Sequence, residues 1–401
     1  MKTILSRWNS DRLLRGVLLL LLAIVAAGIL FVPPELPPPG EAAGEALSFS
    51  EHKTMEGMVT RVLTEDRVEF EGGAQYVQQA EVEITSGALA GQTVQVEHGG
   101  MYLASRSSLL KRGMRVVVER MIGPAGERFY VSSIVRRRPI WVLGIAFAVV
   151  SVAIGRWTGV RSLIGLAFSV LVLVRFVLPR ILSGQDPVAV SIVGALLLMA
   201  PSLYVVYGWK SKTHAAVLGM SVSLLFTWLL AALFVSWTHL TGFSDESTAF
   251  LVVATEVELN PRGLVLAGII LGTLGMLDDI AIGLASAVFE LAGANPDLPG
   301  QELFRRSMVI GVDHFASMVN SLMLAYVGAS LPLFLLLMIY QEPLGFTLNR
   351  ELFVEEIVRT LVGSIGLMLA GPVTSLIACW LAKRGGAGGP ALPGELPEIV
   401  Q

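Results

Sequence analysis

Apolar and polar residues are distributed in two distinct ways along this chain. Residues 16–32, and most of residues 140–382, form apolar runs with few polar interruptions. Between them, in residues 46–135, apolar and polar residues alternate in short stretches. Examples are Gly57-Met58-Val59-Thr60-Arg61-Val62, Ala80-Glu81-Val82-Glu83-Ile84-Thr85, Gly91-Gln92-Thr93-Val94-Gln95-Val96 and Met114-Arg115-Val116-Val117-Val118-Glu119. A period of two between glycine turns predicts half-buried strands. Five or six strands in roughly 90 residues suit a small closed barrel, with an OB-like one among the candidates.

The apolar runs approach the ~20 residues that a helix needs to cross the hydrocarbon core. Spans are predicted near 140–155, 160–178, 187–208, 214–237, 262–289, 307–327 and 357–382, and a first anchor at 13–32 brings the total to about eight. A cleaved signal peptide is the competing reading of the first run, but its apolar region is usually ~7–15 residues, and this one is read as an uncleaved anchor. The expected architecture is a polytopic α-helical membrane protein with one extracytoplasmic β domain. Residues 1–12 form a cytoplasmic N-terminus, 13–32 the anchor, 33–45 a stiff Pro-rich linker, 46–135 the β domain, 140–382 the helical bundle and 385–401 a disordered cytoplasmic tail. In residues 328–341, Gly328 and Pro332 should break the helix, and the apolar run that follows is too short to span, so a re-entrant or interfacial helix is expected on the outer side.

Charge supplies the orientation. Lys2, Arg7, Arg12 and Arg15 precede the first run and place it N-terminus inside. Basic loops at Arg156/Arg161, Lys210/Lys212, Arg305/Arg306 and Lys383/Arg384 alternate with acidic ones at Asp245, Glu246, Glu256 and Glu258, then Glu342, Glu351, Glu355 and Glu356. Both termini then face the cytoplasm. Arg136, Arg137 and Arg138 disagree, but they follow a translocated domain, where the rule is weak.

Composition agrees: 54% of the 401 residues are hydrophobic and 15% charged, against about a quarter charged in soluble chains. A soluble enzyme is thereby excluded. A net charge of −3 gives no basic nucleic-acid surface, and the one cysteine, Cys379, can form neither an intrachain disulfide nor a Cys/His metal motif.

Candidate chemistry lies in polar residues within the membrane, where ionisable groups usually face a bundle interior or a water path. Gly268 and Gly272 form a small-xxx-small pair that should admit another helix closely. Gly272, Gly275, Asp279, Gly283, Ser286 and Glu290 continue that face. Asp278 points ~100° away and is expected to be the more accessible acid, while Glu290 is expected at the cytoplasmic headgroup level. On the next span Asp313, Ser317 and Asn320 share a face, and His314 adjoins them. If the intervening loop closes symmetrically, Asp279 comes level with residues near Ala316 and within about a turn of Asp313, Ser317 and Asn320. Two mid-membrane carboxyls so placed suit binding and release of a proton or small cation. Interhelical hydrogen bonding is the plainer role for Ser317, Ser286 and Asn320. His314 is read either as a relay or as an ordinary polar residue. Arg175 is expected to snorkel to the outer interface, Tyr204, Tyr207 and Trp209 to form an aromatic belt, and His214 to mark a helix start.

At these residues the sequence resembles the YibE/F family of bacterial membrane proteins. The stretch 264–332 carries the likeness: Gly272-Thr273-Leu274-Gly275, Asp279, Ala281, Glu290, Ile310-Gly311, Asp313, Asn320 and Leu324-Ala325-Tyr326-Val327-Gly328. The chain departs from the family pattern in its Asp278-Asp279 pair and in Val312, where a basic residue is expected. Residues 277–328 are also loosely similar to SecDF/RND proton-driven exporters. The resemblance implies an anchor, an external domain and a helical bundle with a transport role, in the inner (plasma) membrane of a bacterial cell. A secondary transporter or exporter driven by H⁺ or Na⁺, with an unknown small substrate and no cofactor, is therefore expected. The alternative is a non-transporting scaffold whose β domain binds another envelope protein; homo-oligomerisation is open in either case. An intramembrane enzyme lacks support, since there is no His-Glu-x-x-His motif, nucleophile elbow or phosphate loop.

Overall fold

The computed structural model describes residues 53–70, 73–87, 89–100, 106–123, 126–244, 246–255, 257–339 and 343–384. The expected N-terminus, anchor, linker and tail lie outside them, as do Asp245, Glu256 and Glu342 of the acidic loops. Contacts divide the described chain into a β unit reaching Ala153 and a helical unit beginning at Ile154, with residues 253–255 grouped with the first.

Five strands close into a barrel in the order β1-β2-β3-β5-β4. They are β1 (Lys53–Phe70), β2 (Gly73–Ile84), β3 (Thr93–His98), β4 (Arg115–Gly123) and β5 (Gly126–Ile134). The four alternating runs singled out above fall on β1 to β4. Only the β3–β5 pair is parallel. Alternate residues fill the interior, among them Met55, Val59, Ala80, Val82, Ile84, Val96, Val116, Val118 and Val131. β1 pairs with both β2 and β4, and register shifts at Val59/Arg61 and Val62/Thr64 give it the extra coiling that closure needs. Gly57 faces Ile84 on one side and Val116 on the other. A Cβ there would overlap Val82 and lie 3.0 Å from the Glu83 carbonyl oxygen. The buried Gln78 accepts from the Leu110 N–H at 2.6 Å and donates to Glu65 at 3.0 Å, so both ends of its amide are used.

The helical elements are α1 (Arg137–Val172), a π-helical turn (Leu173–Val177), α2 (Leu178–Leu182), α3 (Pro187–Tyr207), α4 (Ser211–Trp237), α5 (Glu246–Ala254), α6 (Pro261–Ala294), α7 (Gly300–Ala329), α8 (Leu331–Ile339), α9 (Leu344–Thr347) and α10 (Glu351–Arg384). Six helical stretches among the described residues are long and apolar enough to cross a membrane: Arg137–Leu182, α3, α4, α6, α7 and α10. Their outer faces expose large apolar side chains such as Leu225, Leu229, Leu233, Met323 and Leu361. Water does not tolerate such surfaces at this extent, whereas lipid does. This is a membrane protein.

The spans expected at 140–155 and 160–178 fall within one 46-residue stretch, Arg137–Leu182, which consists of two helices meeting at a kink at Arg156, whose φ of 48° and ψ of −126° leave the helical region. Residues Leu331–Ile339 form a nine-residue helix after a break at Ser330, about 13 Å long and too short to span.

Helix starts follow local sequence. Asp186 and Asn260 each precede a proline at the first helical position and cap it, accepting from the N–H groups of Ala189 and Gly263 at 3.0 Å. α6 is the central helix, packing on α3, α4, α7 and α10. Its residues Ile270, Leu277, Ile280, Ala281 and Ala285 join Ala215, Met220, Leu367 and Ala370 in the main core. At one end of this unit Glu351 accepts from the backbone N–H groups of Thr241 and Gly242, at 2.5 and 2.8 Å. At the other end Lys383 donates to the Pro296 carbonyl at 3.0 Å. α3, α6 and α10 therefore run in one direction, with α4 and α7 antiparallel to them.

Candidate functional site

On α6, Leu274, Leu277, Ile280 and Ala281 turn into the core. Asp278 follows Leu277 and lands on the flank of that buried face, half-buried. Its Oδ1 is fully enclosed and has no hydrogen-bond partner among the described residues. It lines a cavity of about 310 Å³ bounded by Ser169, Leu173, Met199, Ser202 and Met220. Leu173 opens the π turn and Ser169 lies in the turn before it. A π turn of this kind shifts the helical register by one residue and so sets which side chains α1 presents to the cavity. The two serine hydroxyls are the polar counterpart of an otherwise apolar wall. Tyr207, at the end of α3, packs against the main core.

Asp279 sits one residue on and is exposed, as are Gly268, Gly272, Gly275, Gly283 and Glu290. The sequence pattern predicted Asp278 to be the more accessible acid; the reverse holds, because the core of α6 is centred on Leu277 and Ile280. The pattern also predicted close helix packing on these glycines. Among the described residues, nothing approaches within 4 Å of a Cβ placed at Gly268, Gly275 or Gly283, and only the Tyr326 hydroxyl, at 3.7 Å, approaches Gly272. The close approaches occur elsewhere. A Cβ at Gly219 would lie 2.8 Å from the Thr374 Cα, and one at Gly366 would overlap Thr227. A methyl there would meet backbone or a β-branched side chain, so these positions join α4 to α10.

α7 presents Gly311, Phe315, Met318, Leu322 and Tyr326 to its neighbours, at spacings of three and four. Asp313, Ser317 and Asn320 fall on the opposite side and are exposed, as is His314. The expected convergence of Asp313, Ser317 and Asn320 on Asp279 within one chain does not occur. The levels agree with expectation, but the facing does not, because the apolar spacing of Phe315 and Leu322 decides how α7 is rotated. Glu290 is exposed one turn before the end of α6. Arg175 is half-buried within the π turn. His214 opens α4, accepting from or donating to the Tyr204 hydroxyl at 2.7 Å, and Trp209 stacks on Tyr204 with ring centroids 4.7 Å apart.

Sequence reasoning missed Ser169 and Ser202. The available signal was a lone hydroxyl inside an apolar run, which recurs at Ser191 and Ser223 away from the cavity.

A family model described as YibE/F-like protein matches residues 143–384, more than half of the chain. The chain belongs to the YibE/F family. The match runs from within α1 to the end of α10 and leaves out the barrel strands. No curated protein and no solved structure matches this YibE/F chain. The cavity and both adjacent acids lie within the family-matched residues.

Proposed function

We propose that this YibE/F protein is a secondary transporter or exporter coupled to H⁺ or Na⁺ through Asp278 and Asp279, moving a small substrate. One observation carries the reading: Asp278 lines a cavity of about 310 Å³, and one of its carboxyl oxygens is enclosed without a hydrogen-bond partner among the described residues. An ionisable group on a spanning helix beside an apolar cavity is costly to keep for packing alone. A proton needs only the carboxyl; Na⁺ needs further oxygens, which Ser169 and Ser202 would add. Movement of α6 against α3 and the π turn would then alter access to the bound ion. The test is purified protein in proteoliposomes, with dissipation of an imposed H⁺ or Na⁺ gradient as the readout. Asp278→Asn is expected to abolish the flux while leaving insertion and folding intact, and Asp278→Glu to retain part of it. Wild-type flux in Asp278→Asn would refute the assignment.

The same proposal takes the α1–α2 stretch as two crossings about Arg156 and adds the 13–32 run, giving eight. Lys210, Lys212, Lys383 and Arg384 gather at one end of the helical unit, and Glu246, Glu258 and Glu351 at the other, which supports a cytoplasmic basic end. On that reading the barrel is extracytoplasmic, both termini face the cytoplasm and the membrane is the bacterial inner membrane. The strand order and the parallel β3–β5 closure support an OB-like barrel.

The outward polar face of α7 favours a second reading. Asp313, Ser317 and Asn320 are exposed well inside a spanning helix, where a bare acid is expensive. A second copy or an envelope partner covering that face would make the chain an assembly scaffold. Site-specific crosslinking from Ser317 separates the two: a protein adduct, together with unchanged function in Asp278→Asn, supports the scaffold.

A further inference from the structure

A second cavity, of about 570 Å³, lies between the start of α7 and the end of α10. It is independent of the acidic site. Its wall and floor are apolar, formed by Phe304, Leu376, Trp380 and the buried Cys379, and Lys383 and Arg384 stand at its mouth. The spacing explains the arrangement: Leu376, Cys379/Trp380 and Lys383/Arg384 recur at three and four along α10, so one face passes from apolar to cationic within two turns.

Three features give the mouth a positive potential. Arg384 lies over the Trp380 ring, 3.8 Å from its centroid, which holds the guanidinium at the rim. Lys383 spends one donor on the Pro296 carbonyl at 3.0 Å and has two more. α7 begins here with Pro299 as its N-cap, which supplies no side-chain acceptor. Its first turn, which also carries Glu302, has no side-chain cap and forms the positive end of the helix dipole. The neighbouring Arg305 and Arg306 are different, because both are paired with Glu302 at 2.8 Å.

A free inorganic anion would satisfy the mouth and leave the apolar half empty. Trp380 and Leu376 are 51% and 56% exposed on the outer face of a spanning helix, so the cavity opens towards acyl chains. We infer that this cavity is a binding site for an anionic glycerophospholipid, with the phosphodiester between Lys383, Arg384 and the first turn of α7, and an acyl chain along Leu376, Trp380 and Phe304. Basic recesses between spanning helices at one membrane face are suited to such headgroups.

The test uses the full chain, delipidated in detergent and titrated with phosphatidylglycerol or phosphatidylcholine, with bound lipid counted by native mass spectrometry. Wild type is expected to retain phosphatidylglycerol in preference to phosphatidylcholine. Lys383→Gln with Arg384→Gln should weaken phosphatidylglycerol about 25-fold, from roughly fivefold per basic residue at the surface. Arg305→Gln with Arg306→Gln should change it less than threefold, and soluble glycerophosphate should not displace the lipid. Equal affinity of wild type for the two lipids overturns the proposal without recourse to any variant. Equal losses in the two double variants would reduce it to diffuse surface attraction, and displacement by glycerophosphate would make the site one for a soluble anion.

Discussion

Gly311 of α7 lies against Leu284 of α6: a Cβ on the glycine would stand 3.3 Å from the leucine Cδ2. This contact fixes the antiparallel register of the two helices and brings Asp279 level with Ala316. It also turns Asp313 to the far side, two residues and ~200° from Gly311. Cysteine pairs test the arrangement in a Cys379→Ala background. Leu284→Cys with Gly311→Cys is expected to crosslink within one chain on mild oxidation, and Asp279→Cys with Asp313→Cys is not. Intrachain crosslinking of the second pair would restore the two-carboxyl site.

Glycine positions should split into two classes. Gly219→Val and Gly366→Val drive side chains into Thr374 and Thr227, and each should cost about 1–3 kcal/mol by overpacking. Gly268→Ala meets nothing within 4 Å and should be neutral or stabilising by up to ~1 kcal/mol. Thermal midpoints of the purified variants check both. A clear loss at Gly268→Ala would reveal another chain packed on that face.

Function and stability should separate at Asp278. Its enclosed oxygen makes no hydrogen bond among the described residues, and an unpaired buried polar group costs about 1–3 kcal/mol. Asp278→Leu should therefore raise the thermal midpoint while removing ion-gradient dissipation. A fall in stability would instead show that the carboxyl holds the fold together.

In the barrel, Gln78→Ala leaves the Leu110 N–H without its acceptor and Glu65 without its donor. A loss of about 1–3 kcal/mol is expected, read as faster amide exchange at Val82 and Val116 in the full chain. Gly57→Val should be at least as damaging, because the added side chain enters the space of Val82. Unchanged exchange in both variants would mean that β1 and β2 do not pair as described.

The sequence by itself determined the class of the barrel strands and of the long helices, though not the short helices α5 and α9 or the π turn. Period-two alternation predicted strands because a pleated chain sends successive side chains to opposite faces, and Val82, Val116 and Val118 do point inward. Apolar runs predicted membrane helices because an unpaired backbone is intolerable in lipid. The relative level of Asp279 and α7 was also legible, since it depends only on loop closure and helical rise. What sequence could not determine was rotation. Asp278 and Asp279 differ by one residue and are equivalent in composition; the packing of Leu277 and Ile280 into the core set which one met the cavity. Likewise Phe315 and Leu322, not Asp313, decided which way α7 faced. Helix rotation is settled by the neighbouring helices, and only the tertiary structure brings Ser169 and Ser202 to the acid they line the cavity with.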